Sequence, residues 1–238
     1  MRILIHLFAT TLVAALLPVA ACGQAPKTAH PLKIGIIGTG DIGGALARHW
    51  GAAGHQLLIS SRHPEQLQAL AKEIGPNVKV GTPREAAAFG DVVLISVPYG
   101  ATPQVGRDYA AELKGKVVLD TGNPYPGRDG EMAVRDRKRG TGVASAEYLP
   151  GTRLVRAFNA INAGPLANDG FHKPERLGIP LASDDLEAMK IASHLVSDAG
   201  FDPVPVGGLA RARDFDYGTP VYVRGMTAAE LRKALGLK

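Results

Sequence analysis

Three glycines carry the first chemical signal. Gly38, Gly40 and Gly43 stand in G-x-G-x-x-G spacing, after the run Lys33-Ile34-Gly35-Ile36-Ile37 and before Gly44-Ala45-Leu46-Ala47-Arg48-His49-Trp50. The spacing suits a bound anion. Glycine at 38 permits a tight turn out of a strand. Glycine at 40 lets a pyrophosphate approach the backbone. Glycine at 43 lets the next helix pack close, its N-terminus facing the phosphate. Strand, turn and helix come in the order a dinucleotide site requires; a tight turn without ligand is the alternative. The second signal is Ser60-Ser61-Arg62-His63, some 20 residues on, where an NAD site would carry an acid for the ribose hydroxyls. A carboxylate repels a 2′-phosphate, whereas a hydroxyl and a guanidinium bind one. The pair Ser61 and Arg62 therefore points to NADP(H), with a helix cap and a solvated charge as the plainer readings. Asp41 reads as a helix-start acid.

These residues need a frame. A helix from Asp41 to about Gly54 carries Ile42, Leu46 and Trp50 on one face. Strands are expected at 56–60, 78–80, 91–98, 116–120, 153–158, 179–182 and 201–206, the last weakened by Pro203 and Pro205. Thr82-Pro83-Arg84-Glu85 and Thr227-Ala228-Ala229-Glu230 are capping boxes, and a helix from Leu186 to Ala199 is capped by Ser183 or Asp184. Strands alternating with helices predict an α/β fold: a Rossmann-type doubly wound parallel sheet with a small C-terminal helical extension. The boundaries are a dinucleotide-binding domain over 32–210 and the extension over 211–238.

The remaining composition excludes more than it suggests. The 238 residues carry a net charge of +5, and the densest basic run, Arg135 to Arg139, is interrupted by Asp136. That reads as a solvated loop, not a nucleic-acid surface. No metal-ligand spacing and no glycine-flanked nucleophilic serine appears. Residues 1–22 read as a signal peptide: a basic start, an apolar run from Leu7 to Leu17, then Pro18-Val19-Ala20-Ala21-Cys22. Val19 to Cys22 resembles a bacterial lipobox, which would lipidate Cys22, the only cysteine in the chain. A small hydrophobe inside a signal, or an uncleaved anchor, are the alternatives. Residues 23–31 read as a linker. The expected location is the cell envelope or periplasm, attached to the membrane by lipid; a shorter product starting near Leu32 would be cytoplasmic.

The glycine turn, Ser61-Arg62, Val97-Pro98, Asp120-Thr121-Gly122-Asn123-Pro124, Arg156-Ala157-Phe158-Asn159-Ala160-Ile161 and Phe201-Asp202-Pro203-Val204 together resemble the coenzyme F420-dependent NADP oxidoreductase family. The same domain type occurs in STEAP metalloreductases. The resemblance implies that Thr39, Ser61 and Arg62 hold the 2′-phosphate and that the backbone of Gly40, Asp41 and Ile42 holds the pyrophosphate. It places Val97 and Pro98 along the ribose and nicotinamide. Asn159 falls near the nicotinamide ring, with a hydrogen-bonded loop opener as the even alternative. It implies hydride transfer between NADPH and a small planar redox partner, F420 or a flavin, with no obligatory protein acid or base, and a homodimer. A non-catalytic NADP(H)-binding or scaffold lipoprotein is the competing class. The chain departs from the family at Glu65-Gln66, where another basic residue is usual, at Arg156, where lysine is usual, and after Arg213.

Overall fold

The computed structural model describes residues 28 and 30–237; Cys22 and the leader lie outside the described residues. In chain order the elements are β1 (Lys33–Ile37), α1 (Asp41–Ala53), β2 (Gln56–Ser60), α2 (Gln68–Ile74), β3 (Val78–Gly81), α3 (Pro83–Phe89), β4 (Val92–Ile95), α4 (Thr102–Asp108), α5 (Ala110–Leu113) and β5 (Val117–Asp120). There follow α6 (Pro126–Arg139), α7 (Thr141–Tyr148), β6 (Arg153–Arg156), α8 (Ala163–Asn168), β7 (Gly178–Ala182), α9 (Leu186–Asp198), β8 (Asp202–Gly207) and α10 (Ala228–Ala234).

The eight strands form one sheet in the order β3-β2-β1-β4-β5-β6-β7-β8. Strands β4 and β5 are buried at every position, as strands covered on both faces must be. One core layer holds Ile34, Ile36, Leu46 and Trp50, with Leu195 of α9. The layer on the other face holds Ile37, Val93, Ile95 and Val118, with Ala86 and Ala87 of α3. Trp50 is wholly buried and its Nε1–H donates to the Leu195 carbonyl at 2.8 Å, tying α1 to α9. The strand order reverses between β1 and β4, the switch point at which open α/β sheets bind ligands.

The sheet is parallel through β6 and then changes direction. β6 meets β7 antiparallel at one residue pair, Arg156 and Ala182, while β7 and β8 are parallel to each other. A parallel β6–β7 pair needs a crossover that returns the chain along the sheet. The six-residue α8 packs instead on α1, and β7 runs the other way, its last residue, Ala182, beside the last residue of β6, Arg156. Pro203 and Pro205 are accommodated because β8 is an edge strand, paired only with β7.

Other differences have local causes. Arg135 to Arg139 form the end of α6 rather than a loop, with the cations in the last turn, where the helix dipole favours them. The cap of α9 is Asp185, whose carboxylate accepts from the Glu187 and Ala188 amides. Ser183 and Asp184 are otherwise engaged: Ser183 Oγ donates to the Leu154 carbonyl, and Asp184 accepts from the Leu209 amide. Both capping boxes form as expected. The C-terminal section packs Phe215, Val221 and Leu231 against Val204 and Val206 of β8, and the 210/211 boundary falls inside a 3-10 turn, Leu209–Asp214.

Candidate functional site

The glycine turn meets each steric demand of its spacing differently. Gly38 has φ +94°, and a Cβ there would sit 2.3 Å from the Ser96 carbonyl oxygen and 2.9 Å from Val97 Cγ1. A Cβ at Gly43 would sit 2.1 Å from the Gly38 carbonyl oxygen. Both glycines are required by the protein's own packing. Gly40 is not: a Cβ there would meet nothing within 4 Å. The space over Gly40 is open, and Gly40 caps α1 with no side-chain hydrogen bond. The first amides of a helix have no partner within it, so those of α1 remain available where the positive end of its dipole lies. A cleft of about 480 Å³ opens beside this turn, lined by Thr39, Gly40, Asp41 and Arg48 and, from α8, by Ala163 and Gly164. A glycine whose absent side chain leaves room over bare helix amides fits a bound pyrophosphate.

The neighbouring strand ends complete the edge. Thr39 Oγ1 donates to the Ser60 carbonyl at 3.0 Å, which also accepts from the Gly38 amide, so the turn is fastened to the end of β2. Ser61 Oγ accepts from the His63 amide at 3.0 Å, a turn contact that leaves its proton free to donate. Arg62 is exposed and makes no side-chain hydrogen bond or ion pair among the described residues. His63 faces Glu65, with Nδ1 3.5 Å from its carboxylate. Asp41 is exposed in the first turn of α1, as expected of a helix-start acid, and Ile42 is half-buried behind it. Val97 is half-buried against Gly38, with Pro98 exposed beyond it.

Asn159 lies at the end of β6 behind a strained residue. Phe158 has φ +60°, an unfavourable value for a bulky side chain, and is held there by burial against Trp50, with ring centroids 6.1 Å apart. The Asn159 carbonyl accepts from Asn123 Nδ2 at 2.8 Å, and its own Nδ2 donates to Asp216 at 3.3 Å. The buried Oδ1 atoms of both Asn123 and Asn159 have no protein partner among the described residues. Such atoms normally find one.

The sequence reading missed what holds this corner together. Arg156 is wholly buried, donating to Asp120 Oδ2 at 2.8 Å and to Asp216 at 3.3 Å. Burial alone would lower the Arg156 pKa, but the fields of Asp120 and Asp216 outweigh it and raise it. Burial pushes the Asp216 carboxyl up, against the pull of Arg156 and of the Thr141 amide. Tyr99 is buried beside Asp120 and Asp136, which raises its phenol and keeps it protonated. A signal existed for half of this set. Arg156 and Asp120 sit at the ends of apolar strands, where a charge demands a buried partner. Asp216 is 60 residues further on in a segment without periodicity. Tyr125, Tyr217 and Tyr222 stack edge to face beside the corner, and Tyr125 Oη lies 2.6 Å from Tyr222 Oη.

The chain is similar to known NADP-dependent reductases. The family described as "NADP oxidoreductase coenzyme F420-dependent" matches residues 33–124, which include the glycine turn, Ser61-Arg62 and Val97-Pro98. The chain is 31% identical to an F420-dependent NADP reductase of Methanothermobacter thermautotrophicus over 206 residues, covering 81% of this chain and 88% of that one. It is 27% identical to metalloreductase STEAP3 of Rattus norvegicus over 81% of this chain but only 37% of that larger protein. A solved structure of a hypothetical protein from Sinorhizobium meliloti is 27% identical and covers 83% of this chain and 96% of its own, with a TM-score of 0.72.

Proposed function

Because the chain belongs to the coenzyme F420-dependent NADP oxidoreductase family, we propose that it moves a hydride between NADPH, held at the glycine turn, and a planar deazaflavin or flavin acceptor. The observation that carries this reading is the combination at the ends of β1 and β2: open space over Gly40, and Ser61-Arg62 where an acid would select NAD. When bound, the nicotinamide supplies or receives the hydride with its two electrons. The chain's part is to bind and orient. Arg62 and Ser61 donate to the 2′-phosphate, with Thr39 beside them, and the amides at the start of α1 hold the pyrophosphate. Val97 and Pro98 line the path towards the nicotinamide, and Asn159 stands near its ring. No side chain needs to move a proton in such a transfer. Tyr125, Tyr217 and Tyr222 would offer an acceptor ring aromatic contact beside this corner.

The leader supports a second part of the reading, attachment of the protein to the cell envelope through Cys22. Membrane fractionation of Cys22→Ser tests it: release or altered processing supports the anchor, and unchanged behaviour refutes it.

The test of function is a parallel titration of the full chain with NADPH and NADH. Arg62→Ala should weaken NADPH binding about ten- to a hundredfold and leave NADH unchanged. NADPH oxidation is then followed with F420 and with flavins as acceptors. Equal affinity for the two nucleotides, unchanged in Arg62→Ala, refutes the 2′-phosphate site. Tight NADPH binding without turnover on any acceptor favours the non-catalytic alternative.

A further inference from the structure

The basic run at the end of α6 lies outside the nucleotide site. Arg137 and Lys138 face Arg213 across a cleft of about 340 Å³, with Thr141, Asp216 and Thr219 also lining it. Among the described residues no ion pair includes any of the three cations. Their neighbours Arg135, Arg139 and Arg211 all have carboxylate partners. Arg137 is held over the ring of Tyr217, 4.6 Å from its centroid, and close against Gly218. Arg213 lies over Gly140 and donates to the Arg139 carbonyl at 3.2 Å, while the first amide of α7, that of Thr141, donates to Asp216. Among the described residues neither the wholly buried hydroxyl of Thr141 nor that of Thr219 makes a hydrogen bond of good geometry, although Thr141 lies close enough to Asp216 to draw its carboxyl down. Three exposed cations without ion pairs, beside two hydroxyls without a hydrogen bond of good geometry, make one recess short of negative charge. The single acid in it, Asp216, is already taken up by Arg156 and the Thr141 amide.

Asp216 also locates the recess. The same carboxylate accepts from Asn159, so the cleft is one residue removed from the end of β6. We propose that this cleft seats an anionic group, a phosphate or a carboxylate, carried by the second substrate. The proposal rests on the oxidoreductase reading for its link to an acceptor, but not for the anion site itself. It narrows the acceptor class to molecules with a charged tail and disfavours an uncharged ring such as riboflavin.

Two arms test it on the full chain. In the first, inorganic phosphate is titrated calorimetrically into Arg62→Ala, which removes the competing contact in the nucleotide site. Binding that falls at least tenfold when Lys138→Ser and Arg213→Ser are added supports the site, and Arg137→Ser gives an independent reading. Binding that is absent, or indifferent to these changes, overturns it. All three cations are exposed, and unchanged denaturation midpoints confirm intact folds. In the second arm, kcat/KM with NADPH is compared for FMN and riboflavin. A preference for FMN that collapses about tenfold for each cation removed assigns the anion to the acceptor. Phosphate binding with no such preference overturns that assignment in favour of free phosphate as the occupant. Failure of every acceptor sinks the oxidoreductase reading while the phosphate arm still decides the site.

Discussion

Replacing Gly40 and Gly43 one at a time separates what the glycine turn does for the fold from what it does for a ligand. At Gly43 an added Cβ would lie 2.1 Å from the Gly38 carbonyl oxygen and 3.4 Å from Ile36 Cγ2. Relieving that contact requires a shift of about 1 Å or more between turn and helix. Helix α1 is anchored by Leu46, Ala47 and Trp50, none of them measurably exposed, so the shift propagates into the core. Overpacking of this kind costs about 1–3 kcal/mol, or about 2–12 °C in melting temperature for a chain of this size. At Gly40 the backbone sits at φ −85° and a Cβ meets nothing. Alanine is a poorer N-cap, but it also restricts the unfolded chain by about 0.4–1 kcal/mol, so the two effects nearly cancel. Gly40→Ala should therefore melt within about 3 °C of the parent. Its methyl group nevertheless occupies the space through which a pyrophosphate reaches the helix amides. Losing those charge-assisted bonds weakens NADPH binding by about ten- to a hundredfold. Thermal melts and NADPH fluorescence titrations of both variants provide the assay. If Gly40→Ala bound NADPH like the parent, the turn would not cradle the phosphates; if it melted as low as Gly43→Ala, the steric reasoning would be wrong.

Arg156→Met leaves Asp120 and Asp216 buried without their shared cation, and should destabilise the fold by about 3–5 kcal/mol in urea denaturation; a loss under about 1 kcal/mol would show that the pair is not holding the corner. Trp50→Phe removes the bond to the Leu195 carbonyl while keeping most of the ring, costing about 1–3 kcal/mol, read from the same experiment. Burial holds His49 and His55 below the ordinary imidazole value, His55 despite Asp198. The unfolded chain takes up those protons near pH 6.5 and the folded chain only at lower pH, so stability rises with pH through that window and is lost as pH falls below it. Melting temperature measured across pH 5 to 8 should show this slope, reduced in His55→Asn; a flat profile would refute it.

The legible parts of the sequence were those governed by local rules. The glycine spacing, the capping boxes at Thr82–Glu85 and Thr227–Glu230, and the apolar strands follow from residues a few positions apart, and all appear. Helices α4, α6, α7 and α8 are interrupted by glycines and α5 is only four residues long, so none shows a helical pattern in the sequence; Gly130, at φ +62°, kinks α6 within its length. The reversal of β7 depends on where α8 packs, which is a tertiary choice. The corner built on Asp216 was illegible for the same reason: its partners at 141, 156 and 159 are brought to it only by the closure of the C-terminal section over β6.

The first described residue adds a question of orientation. The Thr28 amide donates to the Ala53 carbonyl at the end of α1, and its hydroxyl meets His194 at 3.1 Å, so this segment docks where the strands begin. The glycine turn and Ser61-Arg62 lie where the strands end. The molecule therefore has a back and a front, and a surface, resin or fusion partner joined ahead of Thr28 grips the back. Immobilised in that way, the protein presents the edge that carries the glycine turn outward to the bulk phase.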